Sequence, residues 1–205
     1  MALRIAVLLS GSGSTFANLL EWQKSGKLDV EFSVVISSKY NVKGCYLATQ
    51  DNIPLVVIPS KDYKNKTKEF SDKITETLNA YNAEFVVMAG FMCFFTIPSE
   101  YSKKVMNIHP ALIPNFCGVG MYGDKVHAAV LKAGVHETGC TVHFANNKYD
   151  AGPMVLQKKV LVDKNDTVET LGAKVRQAER QAYPLAIQAY AKGEISFDEP
   201  NFKII

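Results

Sequence analysis

Asn107 and His109 stand two residues apart in Val105-Met106-Asn107-Ile108-His109-Pro110, a run that is otherwise apolar. On a strand, residues two apart share a face, so the amide and the imidazole point together while Met106 and Ile108 turn the other way. Their β-carbons then lie roughly 6–7 Å apart. From there both side chains can reach the oxygen of one carbonyl carbon held between them. Pro110 has no N–H to continue a ladder, so the strand ends there and the pair sits at its carboxyl edge. A lone histidine is most often structural; a polar pair closing an apolar strand points to chemistry.

A second candidate is Gly11-Ser12-Gly13-Ser14-Thr15, between an apolar run and a helical pattern. Glycines let the backbone turn sharply and approach a ligand, and N–H groups at a helix start point at an anion. A dinucleotide fingerprint would need a third small residue at position 16, where Phe16 stands, and an acid after the second strand, where Ile36-Ser37-Ser38 stands. The loop therefore suits a single phosphate, or else is a plain strand-to-helix turn. A third candidate is Asp150, in Tyr149-Asp150-Ala151-Gly152-Pro153, which by itself reads as turn chemistry. His127, His136 and His143 show no metal-ligand spacing and read as structural. No metal site is expected. Lysines 61, 64, 66 and 68 read as a solvated helix start that could meet an anionic tail.

The elements that must position these residues alternate in period. Leu3–Leu9, Val30–Ile36, Leu55–Ile58 and Phe85–Met88 are short apolar runs, the pattern of buried parallel strands. Between them fall helical spacings at Phe16–Trp22, Gly44–Asp51 and Lys66–Tyr81. The second half offers a strand at Val105–His109, a helix at Val126–Ala133, and Cys140–Phe144 with Met154–Leu161 as an antiparallel pair across Asn146–Gly152. A long helix follows over Thr167–Lys192, with Asp166 as N-cap and Glu169 completing a capping box. The expected fold is α/β, a mostly parallel twisted sheet with helices on both faces and antiparallel strands in the C-terminal half. Such sheets bind ligands at the carboxyl ends of their strands. One domain over 1–205 is expected, with halves at 1–100 and 101–205.

Composition excludes several classes. The 205 residues are 47% hydrophobic and 21% charged, which suits a globular protein and not a disordered or fibrous one. A net charge of +3 is too mild to argue for nucleic acid and is compatible with a small anionic ligand. Four dispersed cysteines, Cys45, Cys93, Cys117 and Cys140, read as reduced thiols of a cytoplasmic protein. Neither a secretory leader nor a membrane span is expected.

Taken together the segments resemble the glycinamide ribonucleotide formyltransferase family, folate-dependent enzymes of purine synthesis. The matching motifs are Ser10-Gly11-Ser12-Gly13-Ser14, Ala89-Gly90-Phe91-Met92, Asn107 to Pro114, Gly139-Cys140-Thr141-Val142-His143-Phe144, Asp150-Ala151-Gly152-Pro153, and Glu179 ahead of Tyr183-Pro184-Leu185. They occur in family order over nearly the whole chain. The resemblance implies a catalytic set of Asn107, His109 and Asp150. It implies a ribonucleotide site of Gly11, Ser12, Gly13, Ser14, Thr15, Arg176 and Glu179. It implies a folate site lined by Met92, Cys93, Phe94, Phe95, Asn107 and Asn146, Asn147, Lys148, Tyr149 and Asp150. The chain departs from the pattern in four places: Cys93 and Thr67 stand where arginine occurs in other members, Arg176 where glutamine is frequent, and Cys117–Val126 replaces a shorter segment.

The co-substrate implied is 10-formyltetrahydrofolate and the acceptor glycinamide ribonucleotide, both small molecules, acting on a monomer or homodimer. Asn107 and a protonated His109 would stabilise the oxyanion formed when the amine attacks the formyl carbon, with Asp150 as charge partner and proton acceptor. A tRNA-formylating relative would add a basic C-terminal barrel and a formyl-folate hydrolase an N-terminal domain, neither of which is expected here. A sugar-nucleotide or other amine formyltransferase stays open, as does a non-catalytic folate- or nucleotide-binding module. A dead relative would be expected to lack Asn107, His109 or Asp150, and all three are present.

Overall fold

A computed structural model describes residues 2–205, which divide into two compact units that part between Met106 and Asn107. In the first, strands β1 (Leu3–Leu9), β2 (Val30–Ser37), β3 (Leu55–Val57) and β4 (Phe85–Met88) pair in parallel. Ile5 to Leu9 are all fully buried, which is why β1 beyond Arg4 is continuously apolar instead of alternating. Helices α1 (Ser14–Lys24), α2 (Lys43–Gln50) and α3 (Thr67–Ala80) make the crossovers that parallel pairing requires. Three-residue and four-residue 3-10 turns at Ser99–Tyr101 and Ser60–Tyr63 were not expected from periodicity.

The carboxyl ends of these strands are tied together by Ser10, which is 3% exposed. Its hydroxyl shares a hydrogen bond with that of Ser38 at 2.6 Å and accepts one from the Met92 N–H at 2.9 Å. Its own N–H donates to the Gly90 carbonyl at 3.2 Å. One small side chain thus fixes the loops that follow β1, β2 and β4.

Strand β5 (Val105–His109) closes the first unit with its first two residues and opens the second with Asn107. The second unit then holds α4 (Asp124–Ala133), β6 (Glu137–Phe144), β7 (Met154–Leu161), α5 (Val168–Ala191) and a short strand β8 (Lys203–Ile204). Strands β6 and β7 pair antiparallel as expected, and β8 adds in parallel to β7. The strand order is β3-β2-β1-β4-β5-β6-β7-β8, an α/β sheet with flanking helices. Strand β8 has no apolar alternation long enough to be read in advance.

The N-cap of α5 is Thr167, not Asp166, and the capping-box partner is Thr170, not Glu169. Thr167 takes the extended backbone of a cap and accepts from the Thr170 N–H at 3.2 Å, while the Thr170 hydroxyl accepts from the Thr167 N–H at 2.9 Å. The oxygens of Asp166 are already engaged by the Asp163 N–H, the Thr170 hydroxyl and Lys174, each at 2.8 Å.

Candidate active site

In the first unit the Gly11–Thr15 loop is built around one close approach. Gly13 has φ +71°, and a β-carbon there would lie 2.6 Å from the Gly44 Cα. Only glycine fits that position. Gly13 is also the N-cap of α1, and no side chain caps the helix. Its first N–H groups are therefore left for solvent or an anion, with Ser12 and Ser14 exposed beside them. In the loop after β4, Met92 is exposed, Cys93 and Phe94 are half-buried, and Phe95 is only 2% exposed. Phe95 belongs to the core and has no side-chain surface to offer a ligand. Cys93 and Phe94, with Ser60, Tyr63, Thr67 and Phe70, line a cavity of about 130 Å³. That is smaller than a typical ligand pocket of ~300–1,000 Å³, and it suits a small group at most.

In the second unit the three residues expected to be catalytic, Asn107, His109 and Asp150, converge. Asn107 and His109 leave β5 on one face, and Asp150 arrives from the loop between β6 and β7. His109 Nδ1 lies 3.6 Å from Asp150 Oδ2. A fourth residue that sequence reasoning set aside, His143 of β6, lies 3.6 Å from Asp150 Oδ1 through Nε2. The Asn107 amide donates to the same His143 Nε2 at 3.4 Å. The other ring nitrogen, His143 Nδ1, sits 3.0 Å from the Phe144 carbonyl, which can only accept, so Nδ1 donates there. The signal for His143 was parity along β6, which places it with Thr141 on one face; nothing in the sequence said that β6 lies beside β5.

Local backbone supports the cluster. Asp150 has φ +51°, a conformation that aspartate tolerates better than most residues. Two residues on, a β-carbon at Gly152 would lie 1.8 Å from the Phe144 carbonyl oxygen, so the loop can return against β6 only with glycine there. The segment after β5 supplies two more contacts: the Phe116 carbonyl accepts from His109 Nε2 at 2.8 Å, and the Gly118 N–H donates to Asp150 Oδ2 at 2.9 Å. Phe116 is itself at φ +53°, unusual for a bulky residue.

The electrostatics correct one expectation. Desolvation of His109, which is 4% exposed, is the largest influence and lowers its proton affinity; Asp150 and the Phe116 carbonyl oppose it, and His143 adds to it. The net direction is downward, so His109 is a neutral imidazole at pH 7, not the imidazolium expected from a nearby carboxylate. Desolvation also works against the Asp150 charge, but His143, the Gly118 N–H and His109 outweigh it and hold the carboxyl below its ordinary range. Asp150 is ionised at neutral pH.

On α5, Arg176 is exposed and Glu179 half-buried, and no hydrogen bond or ion pair joins either to another described residue. Desolvation pushes the Glu179 carboxyl up to about 7, partly offset by Arg176. Asn146 and the exposed Asn147, Lys148 and Tyr149 form a turn in which the Lys148 N–H donates to Asn146 Oδ1 at 2.9 Å. Among the described residues no cluster of His, Cys, Asp and Glu could hold a metal ion, and no helix is long and apolar enough to cross a membrane.

Residues 3–187 match the formyl transferase family. The chain belongs to that family. A trifunctional purine biosynthetic protein adenosine-3 of Gallus gallus is 38% identical over 96% of this chain, which spans about a fifth (19%) of that relative's length. A phosphoribosylglycinamide formyltransferase of Haemophilus influenzae is 34% identical over 94% of this chain and 89% of its own. Among solved structures, a phosphoribosylglycinamide formyltransferase from Coxiella burnetii superposes with a TM-score of 0.87 at 31% identity, covering 96% of this chain and 90% of that one. Within the formyl transferases, this chain therefore sits in the phosphoribosylglycinamide formyltransferase branch.

Proposed function

We propose that this formyl transferase moves the formyl group of 10-formyltetrahydrofolate to the amine of glycinamide ribonucleotide, in cytoplasmic purine synthesis. The observation that carries the reading is the convergence of Asn107, His109, His143 and Asp150 in one largely buried cluster. The amine nitrogen attacks the formyl carbon, a C–N bond forms, and the carbonyl pair moves to oxygen. Asn107 has one amide hydrogen bound to His143 and one free for that oxygen. His109 is a neutral donor whose Nε2–H passes from the Phe116 carbonyl to the same oxygen. Such donors are typically worth about 3–4 kcal/mol each of transition-state stabilisation. Ionised Asp150 takes the proton released by the attacking amine and returns it to the folate nitrogen as the C–N bond to the donor breaks. The remaining acceleration comes from holding two bound substrates in place.

Gly11 to Thr15 bind the acceptor's phosphate through main-chain N–H groups, with Arg176 and Glu179 meeting its sugar and glycinamide portion. Met92, Cys93, Phe94 and the Asn146–Asp150 turn meet the folate. The test is to incubate the protein with 10-formyltetrahydrofolate, with and without glycinamide ribonucleotide, and follow the deformylated folate. Loss of formyl only with the ribonucleotide is expected; loss without any acceptor makes the protein a hydrolase, and no loss in either case refutes the assignment.

A further inference from the structure

His127 of α4 plays no part in the chemistry above, yet its surroundings are unusual. It is 3% exposed, and its Nδ1 is buried with no hydrogen-bond partner among the described residues. A buried polar atom left unpaired costs about 1–3 kcal/mol, so an apolar residue of similar size would serve packing better. What lies against the ring is informative. A β-carbon built on Gly172 of α5 would meet Arg176 Nη1 at 2.9 Å, His127 Cδ2 at 3.1 Å and His127 Nε2 at 3.3 Å. The imidazole edge and the guanidinium therefore share the space that Gly172 leaves open. Arg176 lies back along its own helix over the residue four earlier, as helical side chains lean, and the wall beside it is His127. Desolvation keeps the ring neutral; Asp124 opposes this, while Arg176 and His109 reinforce it. A neutral imidazole can pack beside a guanidinium without repelling it.

Resting on the acceptor assignment above, we propose that His127, seated with Gly172, is a positioning residue that holds the Arg176 guanidinium in the pose in which it meets the acceptor. No ion pair within 4 Å orients Arg176 among the described residues, and the Glu179 carboxylate, three residues on, interacts with it only at longer range. Its direction is set by shape and by the polar ring edge instead. The orphaned nitrogen is the cost of keeping an imidazole where a leucine would pack.

The test uses the full chain and four variants, His127→Leu, His127→Asn, Arg176→Gln and the His127→Leu/Arg176→Gln double. Steady-state constants are measured for each substrate separately, with ribonucleotide binding by calorimetry and melting temperature alongside. His127→Leu is expected to raise the ribonucleotide KM about tenfold, with kcat and the folate KM unchanged and the melting temperature equal or higher. His127→Asn keeps a polar edge and recovers part of the loss. In the double variant the His127 effect disappears, because the residue it positions is gone. An unchanged ribonucleotide KM in His127→Leu overturns the proposal, as do effects that simply add. If wild-type protein does not turn over the ribonucleotide at all, the acceptor assignment itself has failed, and calorimetry with the ribonucleotide separates that result from a misplaced Arg176.

Discussion

The two units of the chain offer a ligand different materials. In the first unit the part proposed to meet the ligand is main chain: a helix start without a side-chain cap, a glycine at φ +71°, and loops pinned by the Ser10 hydroxyl. In Asn107–Ile205 it is side chain: an amide, two imidazoles and a carboxylate drawn from β5, β6 and one loop. Main-chain recognition depends on which residues are absent at Cβ and tolerates change in most side chains. Side-chain chemistry depends on four identities and on the protonation each surrounding imposes. Substitutions should therefore split by kinetic constant, with the Gly11–Thr15 loop of the first unit moving KM for the anionic substrate and the Asn107, His109, His143 and Asp150 cluster of the second moving kcat.

The largest expected effect breaks the second unit's chemistry without its fold. Asp150→Asn keeps a residue that tolerates φ +51° and removes only the proton acceptor. A fall in kcat of about 10²–10⁴ is expected, with an unaltered circular dichroism melt; near-normal turnover would take Asp150 out of the mechanism. Asn107→Ala should cost about 10²–10³ in kcat, with ribonucleotide KM little changed.

For the first unit, Gly13→Ala must shift backbone, because the nearest atom to the new methyl is the Gly44 Cα at 2.6 Å. The expected result is a ribonucleotide KM raised at least tenfold and a stability loss of about 1–3 kcal/mol, read by denaturant midpoint. If kcat fell and KM held, the contrast between the units would be wrong.

A finer test concerns pH. Asp150 is held below its ordinary value, so it stays charged above the ordinary aspartate pKa of about 3.9 and cannot cause an acid limb near pH 6. A limb in the kcat profile near 6 would assign the proton transfer to an imidazole. His109 has the opposite linkage. Its folded value is lowered, so the unfolded chain binds its proton first and stability declines as pH falls below about 6.5. His109→Asn should flatten that decline in urea midpoints measured from pH 7.5 to 5. The smallest effect is Thr167→Ala, which removes the α5 cap for about 1 kcal/mol and should leave both kinetic constants alone.

Most of the α/β order was legible because buried parallel strands and amphipathic helices carry different periods, and β4, β5 and β7 begin and end where the apolar runs do. The Asn107–His109 pair was legible for the same reason, since parity on a strand is a local property. His143 was not, because its role depends on β6 lying next to β5, a long-range pairing that no window of sequence contains. The protonation of His109 was misjudged for a related reason: the carboxylate partner could be named from the motif, but the burial that outweighs it could not. The cap of α5 slipped by one residue because Asp166 and Thr167 are both good caps, and hydrogen bonds from Asp163, Thr170 and Lys174 decide between them.

The Phe116 carbonyl against His109 has a consequence for what kind of oxygen the imidazole will serve. That N–H is already satisfied within the protein by an uncharged amide oxygen at 2.8 Å. A substrate's formyl oxygen is also an uncharged amide oxygen, so exchanging one for the other gains almost nothing. Once the carbon is attacked, the oxygen carries a full charge and outcompetes the backbone. On the mechanism proposed above, the protein thus carries an internal standard against which the ligand is compared, and only the transition state exceeds it. His109 should accordingly contribute to turnover and scarcely at all to affinity for the formyl donor.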